Sequence, residues 1–162
     1  MSDKTIIGAE NRYAAYLNAL KTDFTKVTRL EFLTPAQAQV IPLERIRHFF
    51  TSGLYRRMRE ARRLERELRF LWEIDSSLMG YENAGSDKIT VQGVADCVFW
   101  EDDGAVIVDY KTDRVSSAEE LADKYREQLR MYRLILQKSL QTPVKSCIIY
   151  SFHLEKEITL RF

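Results

Sequence analysis

The sequence predicts a mixed α/β fold: a central sheet carrying a β-hairpin and flanked by helices. Three observations carry that expectation. An early stretch has helical spacing, a middle stretch changes to short segments rich in aromatic and β-branched residues, and a long amphipathic helix then precedes a closing pair of strands. The 162 residues suit one domain, 1–162, with a mostly helical, basic part over 1–63 and a sheet core over 64–162 that includes a helix over 117–140. Hydrophobic residues at 45% against 30% charged can build an interior, which excludes compositional disorder. No apolar run approaches the roughly 18 to 20 residues of a membrane span. The polar opening Met1-Ser2-Asp3-Lys4-Thr5 lacks the layout of a signal peptide, so a cytoplasmic protein is expected.

Taken in order, Tyr13, Tyr16, Leu17 and Leu20 recur at helical spacing and predict a helix over about 9–21. Thr34-Pro35-Ala36-Gln37 supplies a cap, a proline at the first helical position and a Gln three after the cap, so a short helix starts there and stops at Pro42. From Leu43, the apolar positions Ile46, Phe49, Phe50, Leu54, Met58 and Ala61 mark a helical stretch with a break or kink at Ser52-Gly53. Leu68–Trp72, Ile89–Trp100 and Ala105–Lys111 read as strands, the last two forming a hairpin with Asp103-Gly104 as its turn signal. Ser116 and Ser117 each precede a Glu by three residues, and Leu121, Tyr125, Leu129, Tyr132 and Leu136 then mark one face of a long helix. Val144–Leu154 and Glu157–Phe162 complete the sheet.

The net charge of +1 hides an uneven distribution. Residues 45–69 hold nine Arg against three Glu, while residues 101–123 hold eight acids against Lys111 and Arg114. The Arg run, with Arg56, Arg57, Arg59, Arg62 and Arg63 at its centre, reads either as a solvated helix face or as a surface that tracks DNA phosphates. Cys97 and Cys147 lie in apolar runs without CxxC or Cys/His spacing, which argues for two buried thiols and against zinc. His48 and His153 read as surface residues rather than ligands.

Chemistry concentrates at the hairpin. Asp109 and Lys111 stand two apart at the end of an apolar strand and so share a face, and the partner strand carries a single carboxylate, Asp96. If Glu101–Gly104 form a four-residue loop, Trp100 faces Ala105 and Asp96 falls opposite Asp109; a two-residue Asp103-Gly104 loop instead pairs Asp96 with Lys111. Opposed acids repel unless neutralised, and a hard cation such as Mg2+ is the natural agent. Such a metal beside a lysine suits phosphodiester hydrolysis; an isolated Asp-x-Lys reads as an ordinary surface ion pair, and Asp96 in register is what brings the two readings level. Gln128 extends the helix face marked by Tyr125 and Tyr132, and needs a partner if buried. Glu67 is a strand charge facing either solvent or the metal region.

Taken together, Gly93-Val94-Ala95-Asp96, Val108-Asp109-Tyr110-Lys111-Thr112-Asp113 and Tyr125-Arg126-Glu127-Gln128-Leu129-Arg130-Met131-Tyr132 resemble the RecB-type branch of the PD-(D/E)XK nucleases, most of all the C-terminal nuclease domain of AddA-type helicase-nuclease subunits. Phe49–Leu54 and Arg66–Phe70 extend the likeness more weakly, so that it covers the chain from about Leu30 onward. The resemblance implies a restriction-endonuclease-like fold and an exonuclease-type DNA nuclease working in DNA end processing and recombinational repair. It implies Mg2+ or Mn2+ held by Asp96, Asp109 and the Tyr110 carbonyl, with Lys111 catalytic and Gln128 and Tyr132 as the helix motif near the DNA.

The sequence departs from that family at one motif. The family places a metal-ligating His in a Gly-Thr-x-x-His pattern, and here Gly8-Ala9-Glu10-Asn11-Arg12 puts Arg12 at that position, with Glu10 or Glu67 as substitutes. A catalytically weakened module that binds DNA or a partner subunit is therefore the alternative. No GxxxxGK[ST] phosphate loop occurs, so the partners expected outside this chain are a helicase motor and a second subunit. Two cysteines are too few for the four that an iron-sulfur relative of this branch requires.

Overall fold

A computed structural model describes residues 42–76 and 88–162. The helices expected over 9–21 and from Thr34 lie outside these residues, as do Glu10 and Arg12. The chain divides into two compact units, Met1–Glu60 and Ala61–Phe162.

In the first unit, α1 (Leu43–Thr51) and α2 (Gly53–Glu60) are separated at Ser52, where the sequence predicts a break. The physical cause is a cap: Ser52 is extended, with ψ 158°, and its Oγ accepts the Tyr55 backbone N–H at 3.1 Å, starting a new helix. Phe49, Phe50 and Tyr55 meet across the break with ring centroids 4.6 to 5.4 Å apart.

The second unit is a five-stranded sheet in the order β1-β2-β3-β4-β5, formed by β1 (Arg63–Asp75), β2 (Lys88–Glu101), β3 (Gly104–Lys111), β4 (Val144–Ser151) and β5 (Lys156–Leu160). Among the described strands only β3 and β4 pair in parallel, and α3 (Ala118–Ser139) links them. The sheet is therefore mixed, as expected. Of the two candidate caps, Ser117 starts α3: its side chain accepts the Glu120 N–H at 3.1 Å, while the Glu120 carboxylate accepts the Ser116 N–H at 2.8 Å. Leu121, Leu129 and Leu136 of α3 pack with Val98, Ile107, Cys147 and Ile149 of the sheet in one apolar cluster, so the predicted stripe faces the core. Both thiols are free and buried, and burial pushes each up to about 12, as inert core residues.

Three expectations need correction. First, β1 is thirteen residues long rather than five, and Arg62 and Arg63 leave the helical Arg run for the sheet unit. Arg62 pairs with Asp102 at 2.8 Å, and Arg63 stacks on Trp100 at 4.5 Å while pairing with Glu65 at 2.9 Å. Second, backbone pairing runs as far as Glu101 with Gly104, so Asp102 and Asp103 form the turn and Gly104 belongs to β3. Gly104 adopts φ +146°, and a Cβ there would stand 2.6 Å from the Pro143 carbonyl, which also accepts the Ala105 N–H. Third, Gln128 is exposed, at the margin of the helix stripe rather than within it.

Candidate active site

The register observed is the one that sets Trp100 opposite Ala105, followed by Cys97 opposite Val108. One residue further, the same register brings Asp96 opposite Asp109, but there the two backbones stop pairing. Asp96 Oδ2 instead accepts the Tyr110 backbone N–H at 2.8 Å, a side chain standing in for the missing ladder bond. Beyond this point β3 stays paired with β4 through Lys111 and Ser151. In a strand a residue's N–H and carbonyl project to the same side, so the Tyr110 carbonyl is directed to the edge where Asp96 lies.

A second irregularity coincides with the first. Glu67 of β1, whose register position faces Asp96, adopts φ +50°, a conformation that costs a non-glycine residue about 1 to 3 kcal/mol. The face of the strand turns over at this point. Arg66 pairs with Cys97, outside the apolar cluster under α3, whereas Leu68 and Ala95, the next pair along the ladder, pack with that cluster. Glu67 itself is exposed.

Asp109 is 4% exposed, the only buried carboxylate among the described residues. Its Oδ2 takes no aligned hydrogen bond and lies 2.6 Å from Lys111 Nζ, so the shared face predicted from two-residue spacing is realised as an ion contact. Burial raises the Asp109 carboxyl above its ordinary range; Lys111 opposes that rise, and the charges of Asp96 and Asp113 add to it. Lys111 Nζ also stands 4.2 Å from the centre of the Tyr125 ring. The sequence expectation that opposed acids require a metal is therefore incomplete: Lys111 neutralises one carboxylate, and a backbone N–H holds the other.

Gln128 Nε2 donates to Tyr132 Oη at 3.2 Å, and the Tyr132 ring packs edge-on against Phe70 of β1 with centroids 4.9 Å apart. Phe70 in turn lies across Gly93, where a Cβ would meet its ring at 2.4 Å. The glycine at the head of the Gly93–Asp96 segment is thus required by an aromatic ring on the neighbouring strand. Of the predicted arginines, Arg56, Arg57 and Arg59 lie on α2. His48 lies on α1, and His153 follows β4.

Tyr125 and Asp113 are site residues that sequence reasoning misses. Asp113 holds the Tyr125 hydroxyl at 3.0 and 3.1 Å, and its carboxyl is lowered, chiefly by the ion contact with Lys124. The signals in the sequence are their places in two of the quoted motifs, Asp113 four residues after Asp109 at the strand end and Tyr125 at the head of the helix segment.

The donor atoms suit a hard divalent cation: carboxylate oxygens and a peptide carbonyl, with one buried carboxylate oxygen lacking an aligned hydrogen bond. No group of three or more His, Cys, Asp or Glu gathers among the described residues, so waters and phosphate oxygens would complete the coordination.

Comparison with known proteins identifies the family. The family model described as the PD-(D/E)XK nuclease superfamily matches residues 11–159. A protein of Clostridium perfringens (strain SM101 / Type A), named as an ATP-dependent helicase/nuclease subunit, is 36% identical over 155 residues, covering 90% of this chain and 12% of its own length. Proteins of the same name from Bacillus cytotoxicus and Anoxybacillus flavithermus are 34% and 36% identical, covering 89% and 84% of this chain. The chain thus spans only about an eighth of the length of these relatives.

Proposed function

Because the chain belongs to the PD-(D/E)XK nuclease superfamily, we propose that it is the nuclease module of a larger helicase-nuclease, hydrolysing DNA phosphodiester bonds in DNA end processing and recombinational repair. The observation that carries this reading is the convergence of Asp96, Asp109 and Lys111 where β2 and β3 part. Asp96, Asp109 and the Tyr110 carbonyl would hold Mg2+ or Mn2+. When bound, that ion would polarise the scissile phosphate and lower the pKa of a water that attacks it.

The chain's own residues supply the rest. Asp109, buried and rigid in β3, fixes the site against the core, and the Tyr110 N–H orients the Asp96 carboxylate. Lys111 Nζ orients the attacking water and stabilises the negative charge that develops on the phosphate oxygens as the water oxygen joins phosphorus and the ester P–O bond breaks. Gln128 and Tyr132 line the approach of the DNA strand, and Arg56, Arg57 and Arg59 attract its phosphates. A helicase motor and second subunit, supplied outside these residues, would deliver the strand; the relatives' name and greater length support that partnership.

Incubating the chain with single-stranded and duplex DNA, with Mg2+ or Mn2+ and with chelator, tests this function. Cleavage with metal and none with chelator is expected, and both Asp109→Ala and Lys111→Ala should abolish it while DNA binding persists. Metal-independent cleavage, or near-normal turnover by either variant, contradicts the assignment.

A further inference from the structure

Between β3 and α3 lies a cluster to which the roles above give no task. Asp113 accepts the Tyr125 hydroxyl at both carboxylate oxygens, 3.0 and 3.1 Å away, and Lys124 Nζ contacts the same carboxylate at 2.5 Å. The Tyr125 ring, fixed at its outer end, sits 4.2 Å from Lys111 Nζ, which also touches Asp109 Oδ2 at 2.6 Å. The Lys111 ammonium is gripped from two sides, by a carboxylate and by the face of a ring.

The two grips differ in what competes for them. The Asp109 oxygens are the atoms a divalent cation would take, and a cation there would also repel the ammonium. A lysine side chain carries about 2 kcal/mol of rotamer entropy, so one held by the carboxylate alone would be released just when it is needed. A ring face has no such competitor, and its quadrupole attracts the ammonium whether or not Asp109 is engaged.

We propose that Tyr125, anchored through its hydroxyl by Asp113, is a positioning residue that keeps the Lys111 ammonium at the site once Asp109 engages the metal. This rests on the nuclease reading for its purpose but on the contacts of Lys111, Tyr125 and Asp113 for its geometry. A packing role alone would be met by any apolar side chain at position 125, since Tyr125 borders the apolar cluster under α3. Positioning requires the ring.

NMR of the 162-residue chain with 13C-labelled lysine tests this, with Lys111 assigned through its backbone. A methylene over a ring face is shifted upfield by the ring current. The Lys111 ε-methylene should be upfield of the other lysines, stay so on addition of Mg2+, stay upfield by a smaller margin in Tyr125→Phe, which keeps the ring but loses its hydroxyl anchor, and return to the ordinary position in Tyr125→Leu. In DNA cleavage, Tyr125→Leu should lower kcat by up to about a hundredfold with little change in KM. Tyr125→Phe should recover most of that loss. An ordinary Lys111 shift in the wild type, a shift lost on adding Mg2+, or a Tyr125→Leu variant with normal kcat would overturn the proposal. Should Tyr125→Leu fail to fold, the wild-type and Tyr125→Phe responses to Mg2+ decide it. Absence of cleavage by the wild type would overturn the nuclease reading alone, and the ring-current comparison would then decide the positioning.

Discussion

The Asp96 carboxylate accepts the Tyr110 backbone N–H at 2.8 Å, so a side chain of β2 continues a ladder that its backbone has left. This makes Asp96 a structural acceptor as well as a candidate metal ligand, and the two roles separate by substitution. Asp96→Asn keeps an oxygen for the N–H and should stay within about 1 kcal/mol of wild type, because at most a cross-strand repulsion is relieved. Asp96→Ala leaves the N–H without that acceptor and should cost about 1 to 3 kcal/mol. Urea unfolding of the three proteins checks this; an Ala variant as stable as the Asn variant would remove the hydrogen bond from the account.

Gly93 makes room for Phe70, against which Tyr132 packs. Gly93→Ala should force the ring aside and cost about 1 to 3 kcal/mol, as overpacking does. Phe70→Leu in the same chain should return part of that loss, because the obstructing ring is gone. Additive effects in the double variant would place the strain elsewhere.

Asp113 sets a pH dependence whose sign is fixed by its lowered carboxyl. The unfolded chain binds this proton more readily than the folded one, so the contribution is fully present above the ordinary value of 3.8 and is lost as the pH falls below it through the depressed folded value. Asp113→Asn should therefore melt below wild type near neutrality, and the two melting curves should converge in acid. A gap that is constant with pH would show that the charge of Asp113 contributes nothing to folding.

The arginines divide into two groups. Replacing Arg56, Arg57 and Arg59 of α2 by Gln should weaken DNA binding of all sequences alike and flatten its salt dependence, by about 0.7 to 0.9 in slope for each phosphate no longer neutralised. Replacing Arg62, which pairs with Asp102, and Arg63, which pairs with Glu65 and stacks on Trp100, should change the slope less. DNA titrations across ionic strength decide between them. Equal slopes for both groups would return Arg62 and Arg63 to the phosphate track.

The elements legible in the sequence are those whose local chemistry and tertiary packing agree. The Ser117 cap and the stripe from Leu121 to Leu136 specify α3 on their own, whereas the sequence leaves the hairpin register open between two loop lengths and marks the turn one residue late, because Asp103-Gly104 carries the local turn signal while pairing runs through Glu101 and Gly104. The misread places are those where long-range pairing overrides local pattern. Arg63–Arg66 carries helix-like charge, yet each residue pairs with β2. The reversal at Glu67 breaks the alternation that would have marked a long strand. In the candidate site, the sharing of a face by Asp109 and Lys111 is written in their spacing, whereas the Asp96 bond to a backbone N–H and the ring beside Lys111 depend on how strands part and where a helix lands.

The central claim is that the carboxylates where β2 and β3 part form one divalent-metal site, and calorimetric titration of Mg2+ and Mn2+ into wild type, Asp96→Asn and Asp109→Asn tests it most directly. Wild type should bind with a stability gain of about 2.7 kcal/mol at a hundredfold excess of metal over its dissociation constant. Each variant should lose most of the affinity while remaining folded. Wild-type affinity in both variants, or no binding by wild type, would contradict the account.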